Sequence, residues 1–366
     1  MSMEGFSAQQ ITHALATGLD HYVRGPLFNS GIQEKPTLAK FENSAKTFSG
    51  GNENISIGVK FDTGADGVND GVTGFSHTDT VNFYNPGKGL RANYVWREHH
   101  IGMTLSETEL KRQGILVGDE FAPLKRGRGD RGLEILANVA DEAIADFSEQ
   151  YAKTMNTLIW GDGTADTSAL HGLRSFILDI PTIGTAGGLA NASYPKWRNR
   201  AYTAAFAAHA SYDATYGGNK ITSAATNGGV LLQTLQAEWR QLRRYGGKPD
   251  TFVAGSDFIE AMELEMRANG NYSDTGFNRK QDGSMGEMYF KGVKVEYDPT
   301  LDDLSRAKFA YIWDSSDIYL YALEGDWRRQ RTPARPYNEF TFHQSLLCTG
   351  QMVARRRNSA LVVEIN

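Results

Sequence analysis

The groups of this chain that could do chemistry are its histidines, one thiol, some carboxylates set among glycines, and clustered arginines. The eight histidines are scattered, and only His99-His100 are adjacent. Consecutive strand residues point to opposite faces, so these two cannot chelate one metal together. His77 could approach either across a hairpin, and strand pairing is the expected role. Asp62-Thr63-Gly64-Ala65-Asp66-Gly67-Val68-Asn69-Asp70-Gly71 looks like a calcium loop. An EF-hand needs an oxygen ligand at its third position and glutamate at its twelfth. Counted from Asp62 those positions hold Gly64 and Thr73, so a hairpin tip is expected instead. Trp160-Gly161-Asp162-Gly163 could place a carboxylate for acid–base work, but aspartate at a glycine-rich helix end is a turn residue. Cys348, the only cysteine, sits in the apolar run Leu346-Leu347-Cys348 and reads as a small core residue. It excludes an intrachain disulfide, which suits a reducing compartment. No phosphate loop, Gly-x-Gly-x-x-Gly, Gly-x-Ser-x-Gly or His-Glu-x-x-His occurs. A carboxylate pair for glycoside hydrolysis needs only proximity in space, and the sequence leaves that open.

The basic residues cluster at Lys125-Arg126-Gly127-Arg128, Arg243-Arg244, Arg328-Arg329-Gln330-Arg331 and Arg355-Arg356-Arg357. They are either solvated loops and strand ends or subunit contacts, where guanidinium forks meet a neighbour's carboxylates. A net charge of −5, with 43 acidic residues, argues against a dedicated nucleic-acid binder. A chain of 366 residues can bury a core of one large or two smaller domains. No run of 18 apolar residues crosses a membrane, and Met1–Gln10 lacks the pattern of a signal peptide.

The element best placed to carry such groups is a long helix. Leu136, Val139, Ala143, Phe147, Tyr151 and Met155 form one apolar stripe, with Glu134, Asp141, Glu142, Asp146 and Glu149 opposite. Asp130 is a candidate N-cap, and Gly161 and Gly163 end the run. A helix over about 132–159 is on the order of 40 Å long, well beyond the roughly 11–12 residues usual for a globular domain. One apolar face on so long a rod predicts a spine laid on a sheet. Ahead of it, 9–23 reads as a short amphipathic helix, followed by an irregular stretch. Ile55, Ile57 and Val59, then Val81 and Phe83, then Ala92–Leu105 read as strands. Beyond the spine, 180–229 gives little periodicity. A helix from Gly229 ends at Gly246-Gly247, and a strand at Thr251–Ala254 leads into a helix from Ser256. Met288–Tyr297, Phe309–Trp313, Ile318–Ala322, Phe340–Ala354 and Leu361–Ile365 follow as strands, with Asp314–Asp317 as a hairpin turn. No period of 20–50 residues repeats.

The helix ending in Ile159-Trp160-Gly161-Asp162-Gly163, followed by Leu170-His171-Gly172-Leu173 and Tyr194-Pro195-Lys196-Trp197-Arg198, resembles the major capsid proteins of tailed bacteriophages. The order of features over nearly the whole chain supports that resemblance. It implies an α+β, Hong Kong 97-type fold: an N-terminal arm (1–48), an extended β-hairpin loop (49–105), a peripheral domain (106–179 and 323–366) with the spine helix (132–159), and an axial domain (180–322). It further implies a structural protein without enzymatic activity or cofactor. Copies would form hexamers and pentamers of an icosahedral virion shell, built in the host cytoplasm and enclosing double-stranded DNA without specific binding. The expected partners are a portal, decoration proteins and a scaffolding protein in trans, because only arm and loop precede the spine. Some relatives form an isopeptide cross-link between a loop Lys and an Asn, aided by Glu. Here Lys60 and Lys88 lie in the loop, but Phe340–Ala354 holds neither Asn nor Glu, Asn338 and Glu339 preceding it, so no cross-link is expected. An encapsulin-like shell enclosing enzymes and, from another class, a β-rich hydrolase are the alternatives.

On this reading Arg328, Arg329, Arg331, Asp62, Asp66, Asp70 and Lys88 are assembly contacts. Replacing Arg328 and Arg329 should then weaken the shell while leaving the isolated subunit's unfolding little changed.

Overall fold

The computed structural model describes residues 4–7, 34–60, 75–79, 89–112, 115–118, 147–164, 166, 168–206, 230–268, 288–330 and 339–365. The expected helix at 9–23, the strand at Val81–Phe83, the Asp62–Gly71 loop and the first half of the long helix lie outside these residues. Within them, 147–159 is helical.

Short apolar runs bounded by glycine, proline and aspartate become strands of two mixed sheets. The first has six strands in the order Tyr289–Phe290, Val293–Tyr297, Thr251–Ala254, Phe309–Trp313, Leu361–Glu364, Arg200–Tyr202. Alternation along these strands sends side chains into two different cores. Phe252, Ala254, Ala310, Ile312, Leu361 and Val363 face a cluster that also holds Leu231, Leu235 and Trp239 from the helix Val230–Arg243, and Phe258, Ala261 and Met262 from the helix Ser256–Ala268. The intervening residues Val253, Tyr311, Trp313 and Val362 face the main core, together with Phe147, Tyr151 and Met155 of helix 147–159. The sheet is therefore covered on both sides, which is why Thr251–Ala254 is buried at every position.

The second sheet is built on Thr341–Ala354. Ile318–Leu323 and Arg329–Gln330 pair along one of its edges, and Lys46–Phe48 pairs with Ile318–Leu323. Arg97–Ser106 takes the other edge in antiparallel register, from Thr341 opposite Ser106 to Gly350 opposite Arg97. Burial along Thr341–Ala354 alternates at first and is then continuous. One face of the strand's first half is open, and its second half is covered on both.

Several expectations change. The chain does not turn back on itself at Asp314–Asp317: Phe309–Trp313 belongs to the first sheet and Ile318–Leu323 to the second, so this turn hands the chain from one sheet to the other. Leu361–Glu364 likewise returns to the first sheet. The sheets thus cut across a boundary at 322/323. Ala92–Leu105 is not one strand; it breaks at Trp96 into Leu90–Val95 and Arg97–Ser106. The hairpin of Asn54–Val59 with Leu90–Val95 does form, and it packs into its own subunit's core. Ile55, Val59, Ala92 and Tyr94 are buried in the main cluster. Tyr94 Oη donates to the Ala354 carbonyl at 2.8 Å. Gly187, with φ +60, fits there because a Cβ would come within 2.9 Å of Ala92 and of the Tyr94 ring.

Candidate functional site

The residues singled out for chemistry occupy structural positions. His99 points inward and His100 outward along Arg97–Ser106, as a strand requires. Burial drives His99 down to about 4. Neither of its ring nitrogens has a hydrogen-bond partner among the described residues, and Trp327 meets the ring edge-on at 6.0 Å. His77 is exposed. Cys348 is buried, its thiol raised to about 11 by burial, with Tyr151 Oη 3.8 Å from its sulfur. So raised a thiol is an unreactive core group. Asp162 accepts from the Thr164 amide at 3.0 Å and from its hydroxyl at 2.7 Å, which makes it a turn residue. Among the described residues no group of three His, Cys, Asp or Glu is placed to hold a metal ion.

Glycines close the end of helix 147–159. A Cβ on Gly172 would stand 2.3, 2.4 and 2.6 Å from the carbonyl oxygens of Leu158, Ile159 and Gly161. The backbone at Leu170-His171-Gly172-Leu173 therefore lies directly against the helix's last carbonyls. Gly163, φ +74, is packed on the His171 ring. Just inside the helix end, Asp298 is fully buried and collects donors from distant segments. Thr37 Oγ1 donates to it at 2.6 Å, Trp160 Nε1 at 2.9 Å, the Thr300 amide at 3.0 Å and Asn156 Nδ2 at 3.2 Å. This many donors compensate the cost of burying a carboxylate.

Of the predicted assembly residues, Arg328 and Arg329 are among the described ones. Asp62, Asp66, Asp70, Lys88 and Arg331 lie outside the described residues. Arg329 is exposed, with 64 % of its side chain accessible, and pairs with Asp326 at 2.9 Å. Arg328 is mostly buried. Its Nε donates to Glu42 Oε1 at 3.1 Å and to Tyr151 Oη at 3.3 Å, and its Nη2 donates to Glu42 Oε2. Its backbone is left-handed at φ 56. Burial raises the Glu42 carboxyl against the pull of Arg328. Burial also opposes the charge on Arg328, but Tyr151 and Glu42 outweigh it and hold the guanidinium above its usual value. Arg328 is thus a partner of its own chain's Glu42. Tyr194-Pro195-Lys196-Trp197-Arg198 packs with the third member of Arg355-Arg356-Arg357. Fully buried Arg357 lies over Trp197, at 5.6 Å, and donates to the Phe176 carbonyl at 2.7 Å and to Asn191 Oδ1 at 2.6 Å. Burial lowers it to about 10.

Of the clustered basic residues, Arg243 opens onto a surface groove. A groove of about 470 Å³ lies between the end of Val230–Arg243 and the turn at Lys291-Gly292, and Arg240, Arg243, Lys248 and Lys291 line it. All four are exposed. Arg240 and Arg243 belong to the helix face that also carries Gln236, one of the solvent positions between the buried ones. Residues 291 and 292 both have φ > 0, the two-residue turn that joins paired Phe290 and Val293. The spacing of Gln236, Arg240 and Arg243 was legible; their meeting with Lys248 and Lys291 was not.

No protein-family model and no curated protein matches this sequence. Solved structures do match by shape. A chain of the cyanophage A-1(L) capsid is 17 % identical, with a TM-score of 0.60, over 92 % of this chain and 94 % of that one. A chain from the capsid of an empty GTA particle is 12 % identical with a TM-score of 0.49, over 94 % and 96 %. A chain from the mature capsid of bacteriophage PhiM1 is 10 % identical with a TM-score of 0.46, over 89 % and 86 %. Over nearly its whole length, this chain has the fold of the cyanophage A-1(L) capsid chain.

Proposed function

We propose that this chain is the major capsid protein of a tailed phage, a structural protein of the Hong Kong 97 type whose copies associate as hexamers and pentamers and tile a shell around double-stranded DNA. The observation that carries the reading is the fold shared with the cyanophage A-1(L) capsid chain over 92 % of the sequence. The placements of His99, Cys348 and Asp162 agree with it, because each is engaged in packing or a turn. In this reading the first sheet with its two helices is the body of the axial domain, to which Leu361–Glu364 returns. The second sheet with helix 147–159 is the peripheral domain. Residues 1–48 serve as arm and 49–105 as loop, the loop rooted in its own core through Ile55, Val59, Ala92 and Tyr94. Arg329, Arg331, Asp62, Asp66, Asp70 and Lys88 stay assigned to neighbours, and Arg328 does not. Assembly takes place in the host cytoplasm with a scaffolding protein in trans, and a portal and decoration proteins complete the virion.

Sedimentation velocity of the purified chain, alone and co-expressed with a scaffolding protein, tests the reading. Species of capsomer size and larger are expected. A 40 kDa monomer under both conditions, at any concentration tried, contradicts it.

A further inference from the structure

We infer that the cationic groove of Arg240, Arg243, Lys248 and Lys291 docks the acidic first turn of the helix Ser256–Ala268 of a second copy of this chain. The inference deepens the capsid reading and rests on it, since it supplies a contact by which subunits join head to tail.

The charge distribution within one small unit carries the argument. Thr251–Ala254 runs from one end of the first sheet to the other, roughly 13 Å. Lys248 precedes it, and Lys291 precedes the parallel neighbour Val293–Tyr297, so the groove lies at the strands' N-terminal end. Asp257 and Glu260 follow at the C-terminal end, exposed and three residues apart on one helix face. Exposed Asp303 lies at that same end, and there the Asp302 carboxylate accepts from the Ser256 amide at 3.0 Å. Among the described residues neither the groove's four cations nor Asp257 and Glu260 have an ion-pair partner. The carboxylates nearest Lys248 in sequence are engaged in a turn. Asp314 accepts from the Lys248 amide at 2.8 Å and from Ser316, and Asp250 accepts from Ser315. One end thus carries four cations and the other Asp257 and Glu260 beside Lys308, none of the six paired among the described residues, in a chain whose net charge is −5. Exposed tyrosines border both ends, Tyr289 at 56 % and Tyr297 at 44 %, and tyrosine and arginine are enriched in protein interfaces. Unlike ends on one molecule make a heterologous contact, which propagates and closes into a ring when the rotation allows. Complementary charge also steers the encounter and rejects like-charged approach.

Two charge-reversed variants test this. Arg240→Glu/Arg243→Glu sets two carboxylates against the acidic helix end and leaves the groove neutral beside Lys248 and Lys291, and Asp257→Lys/Glu260→Lys sets two ammonium groups against the cationic groove. All four positions are exposed, so each variant should fold and melt as the wild type does. Sedimentation velocity at low salt should show each variant alone losing higher-order association. Their equimolar mixture should regain it in even-membered rings, where the two must alternate, and lose it again at high salt. The neutral pair Arg240→Gln/Arg243→Gln, which carries no added repulsion, should weaken association on the order of tenfold. Wild-type-like association of either reversed variant alone overturns the inference. So does a mixture that associates no better than its components. If in that case the first variant also loses affinity for a duplex DNA probe, the groove belongs to nucleic acid. Wild type under the same conditions separates the two ideas. If it stays a monomer both alone and with a scaffolding protein the capsid reading falls, while association of the mixture above either component still decides for or against the groove.

Discussion

Arg328 and Glu42 show what burial does to a charge pair. The two side chains are only 17 % and 9 % exposed, and Tyr151 joins them. Removing one partner of such a pair leaves the other charged and desolvated. Arg328→Met should therefore destabilise the isolated subunit by about 3–5 kcal/mol, and Arg328→Met/Glu42→Gln by clearly less than the sum of the single changes. Denaturant unfolding of the four proteins checks this; an Arg328→Met subunit as stable as wild type would return that arginine to the surface. His99 gives a pH-dependent term. Its folded value, about 4, lies below the ordinary 6.5 because burial disfavours the imidazolium. Between those values the unfolded chain binds a proton that the folded one refuses. The stability conferred by keeping His99 neutral is present above pH 6.5 and lost as pH falls toward 4, by on the order of 1–3 kcal/mol. Thermal melts of wild type and His99→Leu should separate across that window as pH falls, because the wild type loses stability that the variant keeps, and parallel curves would contradict the assignment.

At the scale of elements, Gly172 is the position where helix and following turn meet. Gly172→Ala puts a methyl group onto three carbonyl oxygens that belong to backbone and cannot swing away. A loss of roughly 3 kcal/mol or more is expected in urea unfolding. Gly58→Ala, with nothing within 4 Å of its added Cβ, should stay within about 0.5 kcal/mol of wild type. Local pattern made most such elements legible. Thr251–Ala254 and Phe309–Trp313 form where continuous apolar runs are bounded by turn residues, and Val230–Arg243 follows its 3.6-residue stripe. Pairing was less legible. Asp314–Asp317 has the composition of a hairpin turn, and no local signal says that its two strands join different sheets. Asp298 is beyond local reading altogether, since Thr37, Asn156 and Trp160 reach it from 261, 142 and 138 positions away. At Trp96 the alternation shifts by one, from Ala92 and Tyr94 facing inward to His99 and Ile101 facing inward, and the apolar content of the run gave no sign of that change of phase.

For the whole molecule, the two cores share one wall. The first sheet presents Phe252 and Ile312 to its own pair of helices and Val253 and Tyr311 to the main core. A side chain lost from that wall loosens both layers at once, whereas the cationic groove and acidic turn at its ends lie outside either core. That division lets surface charge set association while the interior sets the fold. Assembly is the claim on which the account depends, and electron microscopy of the purified protein, with a scaffolding protein supplied if the chain alone stops at capsomers, tests it most directly. The account predicts closed shells whose averaged walls resolve into six- and five-membered rings, with helix 147–159 and the two sheets placed in each subunit. Fields of isolated 40 kDa particles, or filaments without rings, would contradict it.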